Sequence, residues 1–306
     1  MTSRFQPREF EACIDALWVF PVKSCAGIAV SQAVLTPTGL AHDRAWMVVD
    51  AQGDMVTQRE LPRMALIQPE LLHDQGQLVA LVLHAAGMAP LHVPVAVHAT
   101  PPPAVRVRVW NDDVPAFDMG PAVSAWLTEC LGRTLGSLHL VRFDSQHARH
   151  SSAQWTQGMH ALNQFSDGFP VLVASAASLN ELNARLQAKG ETAVDMRRFR
   201  ANVVLGSVAT APVVLPHDED RVGTLTVHTE AGVAQLKPVK PCPRCPIPNI
   251  DPDSARSHPA VSDVLQAYRQ DPRVNGALTF GMNCLPTAGI GQLLRVGQLV
   301  SADWAF

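Results

Sequence analysis

Between residues 14 and 118 the apolar positions come in short runs bounded by Gly, Pro or Asp. ALWVFPVKS, AVSQAVLT, AWMVVD, QLVALVLHA and AVRVRVW are rich in Val, Leu and Trp, with no helical period between them. Short strands at this spacing predict a sandwich or barrel. The most apolar stretch, LVALVLHAAGMAPLHVPVAVH, is interrupted by His84, Gly87, Pro90 and Pro94, so it reads as paired strands and not as a membrane span. The pattern then changes. Gly120-Pro121 opens a helix with Val123, Trp126, Leu127 and Cys130 on one face, stopped by Gly132. Ser178-Leu179-Asn180-Glu181 has the form of a capping box, followed by Leu182 and Leu186 and ended by Gly190. A third helix is expected from Pro259, with Val261, Val264, Leu265 and Tyr268 on one face. Between the helices PVLVAS, ANVVLG, GTLTVHT and VAQLKPV read as strands, and GQLLRVGQLVSADW as a final strand or hairpin.

The expected fold is therefore mainly β with a few helices (β/α+β), with a domain boundary near residue 120. A chain of 306 residues fits two domains better than one core. Pro101-Pro102-Pro103 reads as a loop or rigid spacer.

With 47% hydrophobic and 17% charged residues the chain can bury large cores. The net charge of −3 shows no basic excess of the kind nucleic-acid binding requires. The N-terminal MTSRFQPREFEAC lacks a signal-peptide core, so a cytoplasmic location is expected. There the six cysteines, at 13, 25, 130, 242, 245 and 284, are thiols by default.

The close pair Cys242/Cys245 lies in KPVKPCPRCPIPNIDPDSA (237–255), where Pro241, Pro243, Pro246 and Pro248 exclude a regular helix. Several readings compete. A zinc knuckle would need two further ligands, for which His258 and Asp251 are the nearby candidates. A thioredoxin-like dithiol would need a helix after the pair, which Pro248 opposes. A thiolate ligand for a soft metal, on a rigid turn with Arg244 favouring the anion, is the third. Two unreactive loop cysteines are the fourth.

Seven segments bear on the choice. They are FPVKSCAG (20–27), HDRAWMVVD (42–50), TQRELPRMALIQP (57–69), FSDGFPVLVASAASLNELN (165–183), MRRFRANVVLG (196–206), KPCPRCPIPNIDPDS (240–254) and FGMN (280–283). In this order they resemble MOSC-domain proteins with the associated N-terminal β-barrel, among them the mitochondrial amidoxime-reducing components and their bacterial counterparts. The resemblance implies two β-barrel-like domains, residues 10–120 and 121–306, with the ligand in the cleft between them. It implies a molybdenum cofactor (molybdenum bound to molybdopterin) with Cys245 as metal ligand and catalytic residue. It implies that Lys23, Ser24 and Arg44 hold the cofactor phosphate, that Arg200 and Asn202 contact the cofactor, and that Ser166 and Asp167 lie near the pterin. Two cations and a hydroxyl on loops after strands suit a phosphate, and Gly27 would let the backbone approach it.

The implied reaction is two-electron reduction of N-hydroxylated or N-oxide compounds, a detoxification role. The electrons would come from a separate donor: a reductase, ferredoxin or cytochrome-type carrier. The chain shows neither a plant-type iron–sulfur cysteine pattern nor a nicotinamide-binding glycine fingerprint. A non-catalytic carrier of the cofactor or its sulfur is the alternative, and pyridoxal phosphate is not expected in this chain. Three departures from the family pattern stand out: Pro248 and Asn249 replace threonines after the cysteine turn, DPDSA lacks the usual glycine, and FRAN replaces F-R-P-N.

Overall fold

The computed structural model describes residues 10–95 and 104–305; the spacer reading of Pro101–Pro103 lies outside the described residues. Seven strands close into a barrel. Val171–Ser175, Val203–Gly206, Phe10–Val19, Leu299–Ala302, Leu225–Thr229, Gly232–Pro243 and Ala277–Ala288 are hydrogen-bonded in that order, and the last pairs back with the first. Closure leaves no unpaired edge along these strands. The first two run parallel, and a parallel pair needs a crossover connection, supplied here by the helix Ala176–Ala188. Inward residues such as Ile14, Leu17, Leu205, Leu225 and Cys284 fill the interior.

A second unit is a half-barrel. Trp46–Asp50, Leu138–Phe143, Asp112–Asp118 and Ala104–Val109 form one antiparallel sheet, and Gln68–Asp74, Gln77–His84 and Leu91–Pro94 form a meander. The helix Pro121–Cys130 packs Val123, Trp126 and Leu127 against Trp46, Leu81, Leu83 and Leu140. The fold is thus mainly β, with two barrel-like units.

The hydrogen-bonded units do not follow a cut at residue 120. The first strand, Phe10–Val19, sits inside the closed barrel between Val203–Gly206 and Leu299–Ala302. Conversely, Pro121–Cys130 and Leu138–Phe143 belong to the half-barrel core. The chain starts in one unit, crosses to the other at residues 20–46, and returns near residue 150, so the crossing segments line the space between them.

Four local expectations need correction. The helix expected from Ser178 begins at Ala176; Ser175 is the N-cap, accepting from the Ser178 backbone N–H at 3.1 Å. Ser178 instead donates to the buried carboxylate of Glu219 at 2.6 Å, and Glu181 pairs with Arg185 one turn on. AVSQAVLT divides into Ile28–Val30, paired with the first strand, and Gln32–Thr36, paired with Leu293–Arg295. The C-terminal segment is no hairpin: Leu293–Arg295 and Leu299–Ala302 pair with different partners. Trp110, expected inside a strand, lies at the two-residue turn joining Ala104–Val109 to Asp112–Asp118.

Candidate functional site

The loop after the first strand is zipped to the segment that re-enters the half-barrel. The backbone N–H of Phe20 donates to Asp43 Oδ1 at 2.8 Å, that of Arg44 to the Phe20 carbonyl at 2.8 Å, and that of Lys23 to the Trp46 carbonyl at 2.8 Å. The Phe165 N–H donates to the Arg44 carbonyl at 3.0 Å, which brings Ser166 and Asp167 alongside. Arg44 donates to the Arg200 carbonyl at 3.0 Å, and Arg200 donates to the Cys25 carbonyl at 2.6 Å, fastening the 196–202 segment to the same junction. Phe20 is the hub: the guanidinium carbons of Arg44 and Arg200 lie 4.5 and 4.3 Å from its ring centroid.

These contacts place Lys23, Ser24, Arg44, Ser166, Asp167, Arg200, Asn202 and Cys245 around one open cleft between the two units, with a cavity of about 110 Å³. Arg59, Trp110, Cys242, Arg244 and Asn283 share it. Arg59 and Asn283 lie within quoted motifs but carry no motif signature of their own. Among the described residues ten non-glycine residues have left-handed φ, and Ser24, Arg44, Trp110 and Arg200 are four of them. Backbone strain of this kind concentrates at functional sites.

The electrostatics favour an anion. Lys23 is buried; its ammonium donates to the Phe165 carbonyl at 2.8 Å and to the Asp167 carboxylate. Burial lowers the Lys23 pKa, with Asp167 pulling the other way. For Asp167, crowding in the cleft opposes ionisation, but Lys23 above all, with Arg44 and the Trp110 indole, holds the carboxyl well below the usual carboxylate range. Its side chain is 70% exposed, so the attraction of these cations outweighs desolvation. Burial, then repulsion from Arg44, pushes Arg200 down to about 9. Arg200 Nη2 and Arg244 Nε are buried without a hydrogen-bond partner among the described residues. Asp43 is engaged by Arg44. Five cations therefore line the cleft with Asp167 as the carboxylate among them, an arrangement that suits a phosphate.

Not every expected contact is free to be made. Asn202 Oδ1 accepts from the Leu172 N–H at 3.1 Å and its Nδ2 donates to the Trp18 carbonyl at 3.2 Å, so the side chain bridges two strands and fixes the position of Arg200. Ser166 Oγ donates to Asn163 Oδ1 at 3.1 Å, and the Ser166 carbonyl accepts from Arg149 at 2.6 Å. Gly27 acts through packing: a Cβ there would collide with the Phe20 ring.

The cysteine turn leaves the strand Gly232–Pro243 and enters a 3-10 turn, Ile247–Asn249. Both thiols are free and half-buried. Arg244 Nη1 donates to Cys242 Sγ at 3.1 Å and Nη2 to the Phe199 carbonyl at 3.0 Å. Arg244, expected to favour the thiolate form in this pair, has Cys242 as its hydrogen-bonded thiol. No α-helix follows the pair, so the thioredoxin-like arrangement is not built. Asp251 is engaged by Arg198, His258 Nδ1 accepts from the Ala260 N–H at 3.4 Å with Glu191 at 3.8 Å, and among the described residues no group of three or more His, Cys, Asp and Glu side chains could hold a metal ion. A four-ligand zinc site therefore has no ligand set here. A soft metal already carried by an organic ligand needs only one protein thiolate, and Cys245 in a cationic cleft fits that demand.

Residues 11–134 match the family model described as the MOSC N-terminal beta barrel domain, and residues 161–301 match the MOSC domain. The chain is 33% identical over 265 residues to mitochondrial amidoxime-reducing component 1 of Mus musculus, covering 84% of this chain and 71% of the relative. It is 31% identical over 306 residues to mitochondrial amidoxime reducing component 2 of Rattus norvegicus, covering 94% and 82%. It is 28% identical over 282 residues to the molybdenum cofactor sulfurase of Homo sapiens, covering 88% of this chain but 29% of that protein. With both domain models matched in order around the described cleft, the chain belongs to the MOSC-domain family, in the form that carries the MOSC N-terminal beta barrel domain ahead of the MOSC domain.

Proposed function

We propose that this protein holds a molybdenum cofactor in the cleft and reduces N-hydroxylated or N-oxide compounds. The observation that carries the reading is the meeting of a free thiol, Cys245, with Lys23, Arg44 and the buried Nη2 of Arg200, which has no partner among the described residues, in one cationic cleft. Lys23, Ser24, Arg44 and Arg200 hold the cofactor phosphate, and Cys245 supplies a thiolate to the metal. Asp167 keeps the Lys23 ammonium oriented, and Asn202 keeps Arg200 in place. The bound cofactor supplies two-electron chemistry at the metal; the protein supplies position and charge. The net reaction takes an N-hydroxylated base, two electrons and two protons to the base and water. The names of the amidoxime-reducing relatives support this substrate class.

The electrons come from a separate reductase, ferredoxin or cytochrome-type carrier, since the sequence carries neither a cluster-binding cysteine set nor a nicotinamide fingerprint. The match to a molybdenum cofactor sulfurase supports a second reading, a carrier of the cofactor or its sulfur. Metal and pterin analysis of the purified protein separates the possibilities, followed by turnover of a simple N-hydroxylated base with a chemical reductant. Cofactor with turnover supports the enzyme. Cofactor without turnover, but with transfer to an apo-molybdoenzyme, supports the carrier. Rapid turnover with NADH or NADPH alone would contradict the separate donor.

A further inference from the structure

Trp110 is placed at a cost that its hairpin does not require. The turn between Ala104–Val109 and Asp112–Asp118 has two residues, and Trp110 takes φ 57 in it. Glycine or asparagine fills such positions without strain; a tryptophan does not. The indole gains only partial burial in return, for Trp110 remains 42% exposed. What the conformation achieves is a position on the cleft. The indole N–H donates to Asp167 Oδ1 at 3.2 Å, and the Arg59 guanidinium carbon stands 4.6 Å from the ring centroid. Arg59 is itself held, its Nε donating to Thr57 Oγ1 at 3.2 Å, with Thr57 buried. Asp167 thus joins Lys23 below to Trp110 at the rim, and ties a half-barrel hairpin to a segment beside the closed barrel.

We infer that Trp110, backed by Arg59 and latched through Asp167, is a clamp for a flat heterocycle that carries an anionic group in the cleft. The inference rests on the cofactor reading above and assigns its pterin a retaining residue. The chemistry selects this ligand over the substrate. An indole offers a flat face to a fused ring, and the cation stacked on it favours a negatively charged group. An N-hydroxylated amidine is neutral or cationic and gains nothing from Arg59. Trp110 is a positioning residue: it retains the ring and takes no part in bond making.

The test uses the full chain made in a host that supplies the cofactor, as wild type, Trp110→Phe and Trp110→Gly. Pterin per protein is measured by oxidation to its fluorescent form, on purification and during extended dialysis. The melting temperature is measured on the same chains made in a host that cannot synthesise the cofactor. The clamp predicts that Trp110→Gly loses pterin about tenfold faster than wild type while its cofactor-free melting temperature is unchanged or higher, because glycine relieves the turn. Trp110→Phe, which keeps a ring over Arg59 but lacks the N–H donor, falls between. Wild-type pterin retention by Trp110→Gly overturns the clamp and leaves the cofactor reading standing. Loss of pterin together with a lower cofactor-free melting temperature overturns it too, because the residue would then serve only the fold. A wild-type protein free of pterin overturns both.

Discussion

Arg244 gives a hydrogen bond to Cys242, two residues back, at 3.1 Å, and not to the adjacent Cys245. The same guanidinium donates to the Phe199 carbonyl, so it ties the cysteine strand to the 196–202 segment. The two cysteines of one short motif thereby part in role. Cys242 is engaged in holding the turn, and Cys245 is left as the thiol available to a ligand in the cleft.

Cys245→Ser is expected to abolish turnover of N-hydroxylated bases, because a neutral hydroxyl is a poor replacement for a thiolate. Cys242→Ser is expected to keep molybdenum and lose only part of the activity, since serine still accepts from Arg244. Turnover and molybdenum content of both variants decide the point; normal turnover by Cys245→Ser would remove the assignment.

Lys23→Ala and Arg44→Ala are each expected to purify with less pterin. A charge-assisted hydrogen bond contributes roughly 1.5–3 kcal/mol, or about tenfold or more in affinity. The two differ in stability. Arg44 covers the buried carboxylate of Asp43, whose side chain is 1% exposed, and stripping a buried charge of its partner costs about 3–5 kcal/mol. Lys23 faces an exposed partner, Asp167, so its loss is milder. Urea unfolding of the two variants should show this order, with full pterin occupancy in both counting against the phosphate site.

Much of the fold was legible from the chain. The alternation of apolar runs marks most strands, and Pro121, Gly132 and Pro259 mark helix ends where they are found. What escaped is non-local. Nothing in FEACIDALWV says that it will complete a barrel whose other six strands begin at residue 171, because closure depends on partners far along the chain. The cap at Ser175 escaped because Ser178-x-x-Glu181 imitates one, while the true competitor, Glu219, arrives from a later turn. At the site, Lys23, Arg44 and Arg200 follow from ordered motifs. Trp110 and the pairing of Arg244 with Cys242 do not, since each depends on how a turn folds.

Glu219 gives the fold a pH dependence. Fully buried, it accepts from Ser175 at 2.8 Å and Ser178 at 2.6 Å. Burial, then the neighbouring Asp220 carboxylate, raises its pKa to about 7. A carboxyl raised on folding releases its proton later than in the unfolded chain. Its contribution to stability is therefore favourable at low pH and declines as pH rises from about 4.5 to 7. Glu219→Gln should unfold at higher urea concentration than wild type above pH 7, with the difference shrinking towards pH 5. A constant difference across that range would contradict the cause given.

Ala255 takes φ 57 in the DPDSA turn, the left-handed region in which the family's usual glycine is at ease. Ala255→Gly should stabilise the chain by about 1 kcal/mol or less, the steric relief being offset in part by glycine's larger entropy loss on folding. A melting temperature lowered by this substitution would show that the alanine methyl group makes a contact worth more than the strain.

The proposed function turns on the Cys245 thiolate binding the metal of a pterin cofactor held in the cleft. X-ray absorption at the molybdenum edge tests it most directly, on wild type and Cys245→Ser purified from a host that supplies the cofactor. Molybdenum is expected in both, with one sulfur neighbour fewer in the variant. An equal number of sulfur neighbours in the two proteins, or wild-type protein without molybdenum, would contradict it.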